Sequence, residues 1–68
     1  MDAERFGRRV RAFRKLKRLQ QVELAKRVEI STTILGRIER GEKRPSPELV
    51  TKIAEQLDIN ENELIGEE

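Results

Sequence analysis

The side chains best suited to chemistry in this chain are its cations, and they are unevenly distributed. Ten of the 15 lysines and arginines lie between residues 5 and 28, where Glu23 is the one acid, so this stretch carries +9. Residues 45–68 carry −6, because Lys52 stands there against seven acids. Guanidinium and ammonium groups bind phosphate and carboxylate oxygens. This asymmetry favours a polyanionic partner on one side; the alternative is a solvated, charge-rich surface typical of a thermostable protein.

The residue types needed for most catalytic and metal chemistry are missing. The sequence contains no His and no Cys, which removes the commonest general base, the paired nucleophiles, and the imidazole and thiolate ligands of metal sites. We therefore expect no enzyme activity, no metal, no cofactor and no small-molecule ligand. No apolar run approaches the ~18 residues of a membrane span, so we expect no membrane partner and a cytoplasmic location.

Apolar spacing and capping residues predict a single domain, residues 1–68, of five short helices with no strand. Phe6, Val10 and Phe13 form one face of the first helix. Leu16 continues that face, and Asp2 caps the helix. The predicted helices span about residues 3–17, 21–28 and 32–40, then a stretch from Pro47 after its cap Ser46, and one or two turns after the cap Asn60.

The connection between the second and third helices is only three residues long. It consists of Glu29, Ile30 and Ser31, of which Ser31 caps the third helix. Gly41 supplies the left-handed residue that ends that helix. A turn this short, with Ile30 pointing inward, fixes the two helices at a steep angle, which is the helix-turn-helix arrangement over about residues 21–40.

Three segments around this turn form a recognisable pattern. They are Gln21-Val22-Glu23-Leu24-Ala25, Val28-Glu29-Ile30-Ser31 and Leu35-Gly36-Arg37-Ile38-Glu39-Arg40-Gly41-Glu42-Lys43-Arg44-Pro45-Ser46. Together they closely resemble the Cro/CI-type (Xre) helix-turn-helix transcription regulators, over about residues 6–65. The resemblance implies an all-α, compact five-helix bundle of the lambda-repressor type. It also implies a homodimer that binds palindromic double-stranded DNA and acts as a repressor or an activator. Such a protein is prokaryotic or phage-encoded, cytoplasmic and associated with the nucleoid.

One side of the third helix is predicted to face the bases of DNA. Leu35 and Ile38 point to the core, which leaves the opposite side free. Side chains near the N-terminus of such a helix reach base edges in the major groove. Arg37 is the strongest candidate, because its planar fork matches the O6 and N7 acceptors of guanine. The predicted base-reading residues are Thr32, Thr33, Gly36 and Arg37.

The other positions of that helix have alternatives. Thr32 and Thr33 either offer a hydroxyl or methyl to DNA or are ordinary first-turn residues. Gly36 either lets the backbone approach DNA closely or is simply tolerated, at a cost of about 1 kcal/mol relative to Ala. Ile34, where the family is usually polar, either touches a thymine methyl or packs against the second helix.

Phosphate contacts would set the position of the protein on the duplex. By resemblance, Gln21 at the start of the second helix meets a phosphate with its side chain and backbone N–H. The other predicted phosphate-binding residues are Arg40, Lys43 and Arg44. We expect Arg8, Arg9 and Arg11 to be mainly solvated surface that adds to the positive field.

The resemblance also implies a structural ion pair between Arg14 and Glu39, which would lock the third helix to the first. Two departures from the family concern the backbone. Glu29 and Arg18 stand where the family often has Gly, so we expect a left-handed conformation there, at a cost of order 1 kcal/mol.

The apolar residues near the C-terminus have two possible roles. Ile59, Leu64 and Ile65 either form the dimer interface or cap the core of the monomer. An alternative function remains beside DNA binding: a helix-turn-helix module that acts through protein contacts, as an antitoxin, an anti-repressor or a bridging factor. Selection from random duplexes discriminates the two.

Overall fold

A computed structural model describes residues 1–66 and confirms the all-α prediction. Its five helices lie close to the predicted bounds, and the described part of the chain contains no strand. None of these helices is both long enough and apolar enough to span a membrane. The helices are α1 (Ala3–Leu16), α2 (Gln21–Arg27), α3 (Thr32–Glu39), α4 (Pro47–Leu57) and α5 (Glu61–Ile65).

Side-chain caps determine where these helices begin. The Asp2 carboxylate accepts the backbone N–H groups of Glu4 and Arg5 at 3.0 and 3.2 Å. The Arg5 N–H in particular holds the pKa of Asp2 below its ordinary value, because the bond favours the charged form. Ser31 and Ser46 cap α3 and α4 in the same way, each through its hydroxyl oxygen. Helix boundaries are therefore local properties of this chain.

One apolar core joins all five helices. Fully buried side chains from each helix meet in it, among them Phe6, Leu24, Ile38, Ile53 and Leu64. Phe13 is only half-buried against this core. The prediction for Leu16 was wrong: it lies in the last turn of α1 and is 72% exposed. The chain leaves α1 directly after it, so no other element covers that position.

The C-terminal helix packs against α1 and α4. Leu64 is fully buried, so it belongs to the monomer core and, contrary to the interface prediction, offers no surface to a second copy. Ile59 and Ile65 are half-buried and pack at the edge of the core. Arg9, expected to be solvated, donates from Nη1 to the carbonyl oxygen of Glu63 at 3.0 Å and so ties α1 to α5.

Among residues 1–66, three non-glycine residues adopt left-handed backbone conformations. Arg18 has φ 60° and Glu29 has φ 63°, as the sequence predicts for the two positions where the family often has Gly. Asp58, which ends α4, is a third, with φ 57°. Each lies in a short connection: Arg18 between α1 and α2, Glu29 between α2 and α3, and Asp58 between α4 and α5.

Candidate nucleic-acid interface

The turn between α2 and α3 is held from both sides. The Ile30 N–H donates to the carbonyl oxygen of Ala25 at 3.0 Å, which closes the end of α2. The Ser31 hydroxyl accepts the N–H of Ile34 at 3.1 Å and opens α3. Lys52 of α4 pairs with Glu29 in the turn at 3.2 Å. Backbone and side-chain bonds, together with the packing of Ile30 against the core, therefore hold the turn from which α3 starts.

The outer side of α3 carries polar side chains that make no bond to the rest of residues 1–66. Thr33 and Arg37 are exposed, and Thr32 is half-exposed. Within residues 1–66 none of these three side chains takes part in a hydrogen bond or ion pair. Ile34 is half-buried and packs against the core, which favours the packing role over contact with a thymine methyl. The exposed side of α3 is free to meet a ligand.

Gly36 lies in the middle of that side but is covered. It is buried, because the side chains of Arg40 and Gln21 lie over it. A Cβ built on Gly36 would stand 3.2 Å from Arg40 Nη1 and 3.6 Å from Gln21 Nε2. Both neighbours are the ends of flexible side chains, so this cover is movable.

A buried hydrogen-bonded network holds α3 to α1 and α2. Arg14 donates from Nε to Glu39 Oε2 at 2.7 Å and from Nη2 to Oε1 at 3.1 Å. Its Nη1 donates to the carbonyl oxygen of Leu19 at 3.0 Å. Gln21 adds a bond from Nε2 to Glu39 Oε1 at 3.1 Å. Arg14 and Glu39 are only 8% and 7% exposed, so the pair implied by the resemblance is a buried lock between helices.

A close backbone approach adds a second contact between α1 and the last turn of α3. Gly7 of α1 is buried against the last turn of α3. A Cβ at this position would overlap the carbonyl oxygen of Ile38 and lie 2.5 Å from that of Glu39. Only a residue without a side chain allows α1 to come this near to α3.

The predicted phosphate-binding residues differ in how available they are. Lys43 is exposed and makes no ion pair within the described residues. Arg44 is also exposed, but its Nη1 donates to the carbonyl oxygen of Met1 at 3.0 Å. Arg40 is paired with Glu42, from its Nε to Oε2 at 3.0 Å. One amide N–H of Gln21 donates to Glu39, and the other is available to a ligand.

A groove of about 320 Å³ lies between α1, α2 and α3. Arg11 is exposed, as expected, and its side chain also lines the groove together with Arg40 and Gln21. The floor is formed by Gly36 and by the buried pair of Arg14 and Glu39. Two cations and an amide thus border a concave surface next to the exposed side of α3.

Three residues of this region are absent from the predicted site: Gly7, Arg11 and Glu42. The signal for Gly7 was a glycine inside a helix pattern, which often marks a close approach. Arg11 precedes Arg14 by three residues, so the two lie on neighbouring faces of one helix. Nothing in the sequence distinguishes Glu42 from the other exposed acids.

Comparisons with known proteins agree with this geometry. A family model described as helix-turn-helix, HTH_3, matches residues 10–64. The uncharacterized HTH-type transcriptional regulator YazB of Bacillus subtilis (strain 168) is 50% identical over 64 residues, 94% of this chain and 93% of YazB. Among solved structures, the restriction-modification controller protein C.AhdI of Aeromonas hydrophila has a TM-score of 0.88 and 36% identity, over 93% of this chain and 96% of that chain. The DNA-binding domain of the P22 C2 repressor has a TM-score of 0.87 and 29% identity, over 96% and 86%.

Proposed function

Since the chain belongs to the helix-turn-helix family HTH_3 of transcriptional regulators and repressors, we propose that it binds specific sequences of double-stranded DNA with α3 in the major groove. The observation that carries this proposal is the exposed side of α3. Thr33 and Arg37 point away from the core with no intramolecular partner in residues 1–66. The helix that bears them is locked to its neighbours by the network of Arg14 and Glu39. A rigid helix with free polar side chains is what base reading requires.

The proposed roles follow from where each side chain stands. Arg37 reads a guanine with its fork, and Thr32 and Thr33 meet bases or the adjacent sugar-phosphate. The phosphate contacts come from Gln21 and Lys43, and from Arg40 once its carboxylate partner is displaced. Arg44 either binds a phosphate after its bond to the Met1 carbonyl oxygen breaks, or adds only to the positive electrostatic field around the protein. Arg11 joins the phosphate contacts, because it borders the same groove as Gln21 and Arg40.

The chain binds as a homodimer in this proposal, so that two copies of α3 enter successive major grooves about 34 Å apart. Ile59 and Ile65 are the apolar candidates for its interface, because both are only half-buried at the edge of the core. The function itself is repression or activation through occupancy of a site.

Selection of bound duplexes from a random pool tests this function. We expect a motif with two-fold symmetry whose half-site centres lie about 10 base pairs apart. The affinity of the selected duplex should fall steeply with salt, because several phosphates are neutralised. A pool that yields no motif would contradict DNA reading and favour a module that acts through protein contacts.

Replacement of Arg37 tests the base-reading role. Arg37→Ala should reduce discrimination at one position of the half-site by about 1–3 kcal/mol, because a bidentate contact to one base is lost. Binding of the variant to the selected duplex and to its three single-base versions at each position measures this. Lys43→Ala is the matched control: it should weaken all duplexes about equally. Loss of the same size for all four bases with Arg37→Ala would contradict base reading.

Gly36→Ala separates stability from binding at the centre of α3. An alanine in a helix interior is favoured over glycine by up to about 1 kcal/mol, and the Arg40 guanidinium has room to yield. We expect a melting temperature higher by up to about 4–8 °C. Affinity for the selected duplex should nevertheless fall, because the added methyl keeps the helix from approaching DNA. A variant of unchanged affinity would show that Gly36 is merely tolerated.

A further inference from the structure

The end of α3 carries an ion pair that the DNA-binding proposal does not explain. Arg40 donates from Nε to Glu42 Oε2 at 3.0 Å and from Nη2 to Oε1 at 3.4 Å, so one edge of the guanidinium faces both carboxylate oxygens. This is the edge-on geometry with which an arginine also binds a phosphate. The side chains are 59% and 52% exposed, so a larger anion can reach the same edge.

The position of Glu42 is set by the backbone rather than by the pair itself. The helix ends in a motif in which the Gly41 N–H donates to the carbonyl oxygen of Ile38 at 3.0 Å and the Glu42 N–H to that of Arg37 at 2.8 Å. Gly41 has φ 78°, the left-handed conformation that this motif needs. These backbone bonds hold Glu42 beside the last turn of α3 independently of any bond that its carboxylate makes.

The Arg40 side chain runs back over α3 to the centre of the exposed side. Its Nη1 lies 3.2 Å from the place of a Cβ on Gly36, while Nε and Nη2 face Glu42. The bonds from Arg40, with a smaller effect of the nearby Arg37 charge, hold the pKa of Glu42 below its ordinary value. Glu42 is thus an ionised carboxylate bonded to Arg40, one of the arginines proposed to meet DNA.

We propose that Glu42 competes with a DNA phosphate for Arg40, so that the free protein holds this arginine in an internal pair and gives it up on binding. The inference rests on the proposed DNA-binding function and adds to it a residue that lowers affinity. The carboxylate occupies the edge of the guanidinium that a phosphate would take. Displacing the Glu42 carboxylate costs part of the free energy of DNA binding. When the Arg40 guanidinium then turns outward to the backbone of the duplex, Gly36 is uncovered.

The size of the effect follows from the exposure of the pair. An exposed ion pair that must break on binding changes a dissociation constant by at most about fivefold at 25 °C. Removing the competitor should therefore strengthen binding by about two- to fivefold for each protomer. The internal pair weakens as salt rises, which partly offsets the loss of phosphate contacts in the natural protein. Without Glu42 the slope of log affinity against log salt should become steeper, by up to about 0.9 for each Arg40 that gains a phosphate.

The test compares Glu42→Gln with Glu55→Gln on one random-sequence duplex across a salt series. Glu55 lies on α4, is exposed and makes no ion pair within residues 1–66, so its replacement changes the net charge equally without touching Arg40. We expect Glu42→Gln to bind tighter than Glu55→Gln by about two- to fivefold for each protomer bound, with the steeper slope. In an Arg40→Gln background the two variants should become equal.

The other outcomes overturn the proposal. Equal binding of Glu42→Gln and Glu55→Gln in the natural background would mean that the pair does not compete with DNA. Weaker binding of Glu42→Gln would mean that the carboxylate presents Arg40 to the phosphate instead. Melting curves of the same variants check that the fold is kept. If the unsubstituted protein binds no duplex, the proposed function fails with the inference; if it binds and the two variants agree, the inference alone fails.

Discussion

Glu39→Ala should lower the free energy of unfolding by about 3–5 kcal/mol, because it leaves a buried guanidinium without its carboxylate. Arg14 is 8% exposed and directs two donors to Glu39, at 2.7 and 3.1 Å. The third bond, to the carbonyl oxygen of Leu19, cannot neutralise the charge. A domain of 68 residues has a total stability of roughly 3–10 kcal/mol. The variant should therefore be largely unfolded near room temperature or melt far below the natural protein.

Urea titrations followed by circular dichroism measure this effect, with three controls. Glu48→Ala removes an exposed acid and should change little. Glu39→Gln keeps one acceptor oxygen and should fall between the natural protein and Glu39→Ala, so the comparison survives if the alanine variant does not fold. The double variant with Arg14→Ala removes the unpaired charge and should be less destabilised than the two single changes added together. Unchanged melts for Glu39→Ala would rule out the buried pair.

Gly7→Ala should destabilise the protein by about 3 kcal/mol or more, because the new methyl would meet backbone atoms that cannot yield locally. Its Cβ would overlap the Ile38 carbonyl oxygen and lie 2.8 Å from the carbonyl carbon of Glu39. To relieve the clash, α1 and α3 must move apart, and that movement strains the bonds between Arg14 and Glu39. In a helix without close neighbours, alanine would stabilise the protein relative to glycine. A loss of stability in Gly7→Ala can therefore be assigned to the contact between α1 and α3.

Gly36→Ala is the matched control for this prediction. It adds the same methyl to another buried glycine inside a helix, but there the nearest atom is the end of the Arg40 side chain at 3.2 Å. Thermal melts of the two variants should therefore shift in opposite directions from the natural protein. A Gly7→Ala variant that melts at or above the natural protein would contradict the close approach of α1 to α3.

The helix boundaries could be predicted because they depend on neighbours in the chain. Asp2, Ser31 and Ser46 each bond to a backbone N–H two or three residues away, so residue type and order suffice. The left-handed backbone at Glu29 and Arg18 was expected from the family resemblance, because the family often has Gly at both positions. The family pattern added the pairing of Arg14 with Glu39, which no local rule contains.

The wrong predictions concern side chains whose surroundings come from distant parts of the chain. Leu16 continues an apolar spacing, but burial depends on a neighbouring element being present at that point, and none is. The periodicity could not say whether Leu64 belongs to the core or to an outer surface; α1 and α4 cover it completely. Likewise the cation count cannot separate Arg11, which borders the groove, from Arg9, which ties α1 to α5.

The five helices, their caps and the short turn could be predicted from the order of residues, because they follow from interactions over a few residues. The same order of residues also indicated the family, because the pattern extends over nearly the whole chain. The packed helices were needed to show which cations are free, which glycine carries the contact between helices, and that Glu42 faces Arg40. Those facts depend on distances between residues far apart in the chain or on the path of a side chain in space. A one-dimensional pattern of residue types does not contain that information.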